Sequence, residues 1–148
     1  MKIIHRHRLE DMLAASPSHL VVMLYDEAIG ALETAVAAVA AGDIEARCNA
    51  VTAATEIIGY LYMHLDLEQG GEVAQNLGAL YAHLMGRMAR VNLYNDAETA
   101  REAMRLLQPL RDSWVQLDRT IAEDGMVAAA IAPALARDAA AARASLAE

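Results

Sequence analysis

The sequence predicts an all-α protein, an antiparallel up-down four-helix bundle, and three observations support this prediction. Apolar residues recur three and four positions apart along most of the chain, which is the period of an amphipathic helix. The 148 residues are 56% hydrophobic and include only 3 prolines, a composition that favours helices. Only a few residues separate the periodic stretches, and such short connections make consecutive long helices pack as antiparallel neighbours.

The first two helices have clear start and stop signals. Ser16 and Pro17 open the first helix, because serine caps a helix and proline lacks the N–H that is unpaired there anyway. Gly42 ends this helix after Ala41, and Asp43 caps the second one. The second helix is predicted to run down to a glycine turn, with an apolar stripe at near-heptad spacing. The members of this stripe are Ile44, Cys48, Val51, Thr55, Ile58, Leu61 and Leu65.

The third predicted helix lies between a glycine turn at Gly70-Gly71 and a turn at Asn95-Asp96. It carries two apolar stripes, although a soluble helix needs only one. The first stripe consists of Val73, Leu77, Leu80, Leu84, Met88 and Val91. The second stripe consists of Ala74, Tyr81 and Met85.

The fourth predicted helix has the cleanest heptad and one internal proline. Because proline removes a backbone hydrogen bond, we expect a kink or a loosened turn at Pro109. The apolar positions are Ala100, Ala103, Leu107, Leu110, Trp114, Leu117 and Ile121. The single tryptophan is therefore predicted to pack in the core.

The chain divides into a leader (1–15), the four-helix bundle (16–124) and an alanine-rich helical tail (125–148). Alanine favours helix, but an isolated helix of this length is marginal in water without packing. We therefore predict that the tail forms an extra C-terminal helix that packs on an apolar surface. Its apolar residues at near-helical spacing are Met126, Val127, Ile131 and Leu135.

Charge and cysteine content exclude several classes of partner. A formal net charge of −8 argues against binding to nucleic acid or anionic membranes, which attract basic surfaces. The N-terminus has no apolar secretion signal, and no stretch is long and uncharged enough to insert in a membrane. Cys48 is the single cysteine, so an internal disulfide is excluded and a reducing compartment is favoured. We expect a cytoplasmic protein.

The sequence shows no set of residues that would make an enzyme, a metal site or a cofactor site. No glutamate is followed three residues later by a histidine, which excludes the usual di-metal pattern of helical bundles. His5 and His7 alone are a poor metal site. His64 and His83 are the candidates for a histidine phosphotransfer bundle, but neither stands in the sequence pattern of that family. Phosphotransfer therefore remains only an alternative.

The surplus of apolar residues is the feature that points to function. Eight methionines and two apolar stripes on one helix exceed what a single core needs, so we expect either self-association or a groove for a partner helix. Some members of the stripes must belong to the core. The candidate partner-binding residues are Leu61, Leu65, Leu77, Leu80, Tyr81, Leu84, Met85 and Met88.

Three segments together resemble one family. The segment AASPSHLVVMLYDEAI (Ala14 to Ile29), the stretch from Leu65 to Asp96, and LRDSWVQL (Leu110 to Leu117) are similar to the beginning, middle and end of the flagellin-specific export chaperones, FliS. The resemblance implies a cytoplasmic four-helix bundle that binds the disordered C-terminal segment of flagellin. It also implies that the protein prevents premature filament assembly and delivers its client to the flagellar type III export gate.

The leader departs from the family pattern. Where family members commonly carry tyrosines, this chain has Ile4 and His7. The resemblance implies that the leader, with Ile4, His7 and Met12, covers part of the groove when the client is absent. A simple oligomerising bundle, with the surplus stripes as the seam of a homodimer, remains the other alternative.

Overall fold

Four helices make up the part of the chain that the computed structural model describes, residues 15–124, with side chains described for residues 15–120. They are α1 (Pro17–Ala41), α2 (Ile44–Met63), α3 (Leu67–Tyr94) and α4 (Ala97–Asp124). Between residues 15 and 124 there is no strand, and the predicted all-α fold is confirmed. The predictions for the leader residues Ile4, His7 and Met12, and for the tail, fall outside the described residues.

The predicted ends of α1 and the start of α2 are confirmed by their caps. The Ser16 hydroxyl accepts a hydrogen bond from the backbone N–H of His19 at 3.3 Å. Gly42 has φ 68°, a left-handed conformation that glycine adopts without a steric cost. The Asp43 carboxylate then accepts the N–H of Ala46 at 3.0 Å, so the two helices are joined by a very short turn.

The connection between α2 and α3 lies earlier than the predicted glycine turn. Helix α2 ends at Met63, and the Asp66 carboxylate caps α3 by accepting the N–H groups of Glu68 and Gln69. Gly71 has φ 54° and ψ −135° and breaks the helix after its first turn. The glycine therefore bends α3 instead of separating it from α2, because the aspartate cap already starts the helix upstream.

The helices pack in the order of an up-down bundle. Helix α1 contacts α2 and α4, and α3 contacts the same two helices from the other side. The buried side of α3 follows a 3–4 spacing that begins one residue later than the predicted first stripe, so Val73 is 56% exposed. The buried residues of α3 include Ala74, Leu77, Tyr81, Leu84, Met88 and Val91.

The apolar positions of α4 and α2 match the predicted stripes in their central parts. Ala100, Ala103, Leu107 and Trp114 are buried, and the helix continues through the exposed Pro109. On α2 the core begins only at Ala50, because Ile44 is 65% exposed and Cys48 is half-buried. The predicted stripe of α2 therefore began too early.

Candidate partner-binding groove

A depression lies where the end of α2 meets the first turns of α3. It has a volume of about 450 Å³. Its lining is almost entirely apolar or small, with one amide side chain. The lining residues are Tyr62, Met63, Leu65, Leu67, Gln75, Gly78, Ala79 and Ala82.

A second depression continues along the same two helices. It has a volume of about 390 Å³. Its lining residues are Val51, Thr52, Thr55, Glu56, Met85, Met88, Ala89 and Asn92. On α3 the lining positions of both depressions follow one another three or four residues apart, so they share one face of the helix. We call the two depressions together the α2–α3 groove.

The two ends of the α2–α3 groove differ in chemistry. At the first end the apolar side chains of Met63 and Leu67 are 79% and 55% exposed. At the other end Arg47 of α2 bridges to α3, donating from Nε to Asn92 Oδ1 at 3.3 Å and from Nη1 to Asn95 Oδ1 at 2.8 Å. The groove is therefore apolar at one end and bordered by hydrogen-bonded polar side chains at the other.

Of the eight predicted partner-binding residues, three line the groove, one lies outside its lining and four lie in the core. Leu65 and Met85 are half-buried and line the groove, and Leu80 is half-buried outside its lining. Met88 lines the second depression with only 2% of its surface exposed. The remaining predicted residues are in the core, where another chain cannot reach them without opening the bundle. These residues are Leu61, Leu77, Tyr81 and Leu84.

Sequence reasoning missed the small residues that create the groove. Ala79, Ala82 and Ala89 occupy the face of α3 that points into it, whereas the predicted partner-binding residues are all large side chains. A groove forms where side chains are short, so the informative signal was alanine and glycine at 3–4 spacing beside the core stripe. Tyr62 and Met63 were missed because they fall at the end of α2.

A buried pair of tyrosines joins α1 to α3 in the core. The Tyr25 and Tyr81 hydroxyls are 2.5 Å apart and their ring centroids 6.4 Å apart. Burial raises the pKa of Tyr25 to about 12, and hydrogen bonds with Tyr81 and Trp114 act in the opposite direction. Burial also raises the pKa of Tyr81, and the neighbouring Tyr25 adds to that shift. Each of these three residues comes from a different segment of the family resemblance.

The opposite seam, between α1 and α4, also holds a depression, of about 400 Å³, and most of its lining side chains are charged or polar. The guanidinium of Arg111 donates from Nε to Asp26 Oδ1 at 2.8 Å, and this hydrogen bond raises the pKa of Arg111. Near the start of α1, Asp118 Oδ1 accepts the Ser18 hydroxyl at 2.5 Å, and Asp118 Oδ2 lies 3.2 Å from His19 Nδ1. The two seams therefore differ in chemistry: charged side chains that pair with one another line the α1–α4 depression, whereas the α2–α3 groove is mostly apolar.

The histidines considered for phosphotransfer have ordinary positions. His64 donates from Nδ1 to the carbonyl oxygen of Tyr60 at 2.9 Å, and its ring lies 4.0 Å from the Tyr60 ring. His83 is exposed on α3.

Within the described residues, no group of three histidine, cysteine or acidic side chains is placed to hold a metal ion. None of the described helices is long and apolar enough to span a membrane.

The fold is an all-α four-helix bundle, and the α2–α3 groove is its candidate binding site. The family model described as "Flagellar protein FliS" matches residues 3–121. The chain therefore belongs to the FliS family of flagellar secretion chaperones, a class of binding proteins and not a class of enzymes. This confirms the resemblance found in the sequence. The match stops at residue 121, before the alanine-rich tail.

Individual relatives agree with the family match. The chain is 38% identical over 107 residues to the flagellar secretion chaperone FliS of Salmonella typhimurium, covering 72% of this chain and 79% of that protein. It is 33% identical over 110 residues to the same-named protein of Campylobacter jejuni, covering 73% and 86%. For the Vibrio cholerae protein of that name the identity is 31% over 104 residues, covering 70% and 76%.

Proposed function

We propose that this protein is an export chaperone that holds the C-terminal segment of flagellin in the α2–α3 groove. Binding in the cytoplasm prevents premature polymerisation, and the chaperone then delivers flagellin to the flagellar type III export gate. The observation that carries the proposal is the groove itself, with depressions of about 450 and 390 Å³ on one continuous helix–helix seam. Membership of the family of secretion chaperones supports it.

The groove suits an apolar helix as its occupant. Flagellin's terminal segment packs as helices in the filament, so the free segment exposes apolar side chains and aggregates. A helix laid in an apolar groove buries one face against the bundle. Met63 and Met85 are flexible side chains at this surface, and methionine adapts to partners of imperfect fit. No covalent chemistry is required.

Release is as necessary as binding, and the physics of a disordered client allows both. Ordering the client on binding costs about 2–5 kcal/mol of the gross interaction energy. That cost keeps the affinity moderate for the area buried. The client is therefore held without being trapped, as transfer to the export gate requires.

Isothermal titration calorimetry with a flagellin C-terminal peptide tests the proposal. We expect one peptide per chaperone, a gain of helix by circular dichroism, and a negative heat-capacity change from apolar burial. Gel filtration with and without peptide gives the stoichiometry and shows whether the free chaperone is a homodimer. No heat of binding, or an interaction that salt abolishes, would contradict the proposal.

Matched variants locate the site. Ala82 is exposed and lines the groove, whereas Ala37 is exposed on α1 outside its lining. We expect Ala82→Glu to weaken peptide binding about tenfold or more, since it places a charge on an apolar contact, and Ala37→Glu to leave it unchanged. Met63→Ser and Leu93→Ser form a second pair, because both side chains are more than 70% exposed but only Met63 lines the groove. Equal effects within each pair would place the client elsewhere.

A further inference from the structure

We propose that the C-terminal segment of this chain, residues 125–148, docks in the α2–α3 groove when no client is bound. The part that enters the groove is 133–148, and 125–132 is the connection. The inference rests on the proposed function in one respect only: the tail competes with the client if the client binds in the same groove. Docking itself is a property of this chain alone and is tested separately below.

Helix α4 ends at the end of the bundle where the apolar end of the groove lies. Helix α4 ends at Asp124, and the Ser18–Asp118 hydrogen bond places its last turns beside the start of α1. Because consecutive helices are antiparallel, the end of α2 and the start of α3 lie at the same end of the bundle. Met63 and Leu67 expose their apolar side chains there.

The connection is long enough to reach the groove. Fully extended, residues 125–132 span about 26 Å. The path from α4 to the groove crosses α3, and packed helix axes lie about 8–10 Å apart. Pro133 then suits the first turn of a new helix, where its missing N–H has no partner to lose.

Length and pattern of the entering segment match the groove. A helix over 133–147 would be about 22 Å long, and the stretch of α3 from Gln75 to Asn92 that lines the groove is about 26 Å long. On such a helix the leucines and two alanines fall on one face, and Arg137 falls on the opposite face. The members of the apolar face are Leu135, Ala139, Ala142 and Leu146.

The spacing of the two leucines matches the spacing of the two depressions. Leu135 and Leu146 would lie about 16 Å apart along a helix, and Ala79 and Ala89, one in each depression, lie about 15 Å apart along α3. A segment entering at Met63 would place Leu135 in the first depression and Leu146 in the second. The alanines between them would lie against Ala82, where only small side chains let two helices approach closely.

Disulfide trapping tests docking without any client. In a Cys48→Ala background, Ala139→Cys is combined either with Ala82→Cys in the groove or with Ala37→Cys on α1. We expect an intramolecular disulfide in the groove pair at low protein concentration, formed at least about tenfold faster than in the Ala37 control, because tethering raises the effective concentration. Equal rates would overturn the proposal. So would disulfides found only between chains, which would make a second copy the occupant.

Removal of the tail tests the competition. If the tail occupies the groove about nine-tenths of the time, truncation after Gly125 tightens peptide binding about tenfold. Should the truncated chain fold poorly, the full-length pair Ala139→Glu with Ala142→Glu replaces it, and Ala140→Glu with Ala144→Glu on the opposite face is the control. Unchanged affinity, as expected if the leader or nothing covers the groove, overturns the proposal, and so does weaker binding. If the peptide binds none of these proteins, the proposed function fails while disulfide trapping still decides docking.

Discussion

The Arg111 guanidinium of α4 grips the Asp26 carboxylate of α1 at two points, from Nε to Oδ1 at 2.8 Å and from Nη2 to Oδ2 at 3.5 Å. The two side chains are 31% and 37% exposed. Solvent therefore screens this pair, and its main effect is to set which residues of α1 and α4 face each other. The same two helices bring Tyr25 next to Trp114 in the core.

The ion pair should contribute little to stability. We expect a double-mutant cycle with Arg111→Ala and Asp26→Asn to give a coupling of about 0.5–1 kcal/mol, since exposed pairs rarely exceed this. Urea unfolding of the four proteins measures it, and added salt should reduce the coupling. A coupling above about 3 kcal/mol would show that the pair is buried more deeply than its exposure indicates.

Alkaline pH should destabilise the bundle through its tyrosine pair. The pKa of Tyr25 is raised by burial from 10.0 to about 12, so the unfolded chain loses this proton before the folded one does. The stability that the raised pKa of Tyr25 contributes is therefore fully present below pH 10 and is lost as pH rises from there toward 12. Lys2 is the only lysine in the sequence, which limits other groups that titrate in this range.

Urea unfolding at about pH 8 and about pH 10.5 measures this loss. The double variant Tyr25→Phe with Tyr81→Phe should reduce it, and Tyr94→Phe, at an exposed position, should not. Either single variant should cost about 1–3 kcal/mol at neutral pH, because it removes the buried hydrogen bond between the two hydroxyls. An equal pH dependence in the wild type and the double variant would contradict the assignment to this pair.

Trp114 should be among the most sensitive positions of the core. It is only 7% exposed, and Trp114→Ala should reduce the free energy of unfolding by about 3–5 kcal/mol. Trp114→Phe is the control that keeps most of the apolar contact. Circular dichroism must follow the melting, because the chain has no other tryptophan for fluorescence. An unchanged melting temperature in Trp114→Ala would move this residue to the surface.

Substitution of Gly71 should destabilise the protein although there is space around this residue. Its φ of 54° is a conformation that other residues rarely adopt, and no atom lies within 4 Å of an added Cβ. Gly71→Ala should therefore cost about 1–3 kcal/mol through the backbone alone. Gly30 also has space around it but no positive φ, so Gly30→Ala should stabilise α1 by about 0.5–1 kcal/mol. Thermal melting distinguishes the two, and equal shifts would mean that Gly71 can relax.

Helix ends that depend on local chemistry were predicted well from the sequence. Ser16, Gly42 and Asp43 mark helix ends through their own backbone and side-chain chemistry, so a single sequence shows them. The boundary at Gly70-Gly71 was misplaced because Asp66 supplies an equally good cap four residues earlier. Glycine in a bend and glycine in a turn look alike in sequence.

Relationships between distant residues could not be predicted in the same way. The ion pair of Asp26 and Arg111 joins residues 85 positions apart, and nothing in the sequence around either residue indicates its partner. The residues of α3 that lie in the core could be told from those that lie in the groove only if the buried stripe was known to begin at Ala74 and not at Val73. The packing of the neighbouring helices decides where this stripe begins. Tyr81, which was expected on the binding surface, therefore lies in the core.

The hydrogen bonds of Arg47 with Asn92 and Asn95 lie where the lining of the α2–α3 groove ends. A helix bound as proposed would enter beside Met63 and run along α3 toward the Arg47 guanidinium, which donates a hydrogen bond to each of the two amides. The available track from Gln75 to Asn92 accommodates about 17 residues of helix at 1.5 Å per residue. In that binding mode the groove would cover about this length of helix, and a longer segment would continue past Asn92 into solvent.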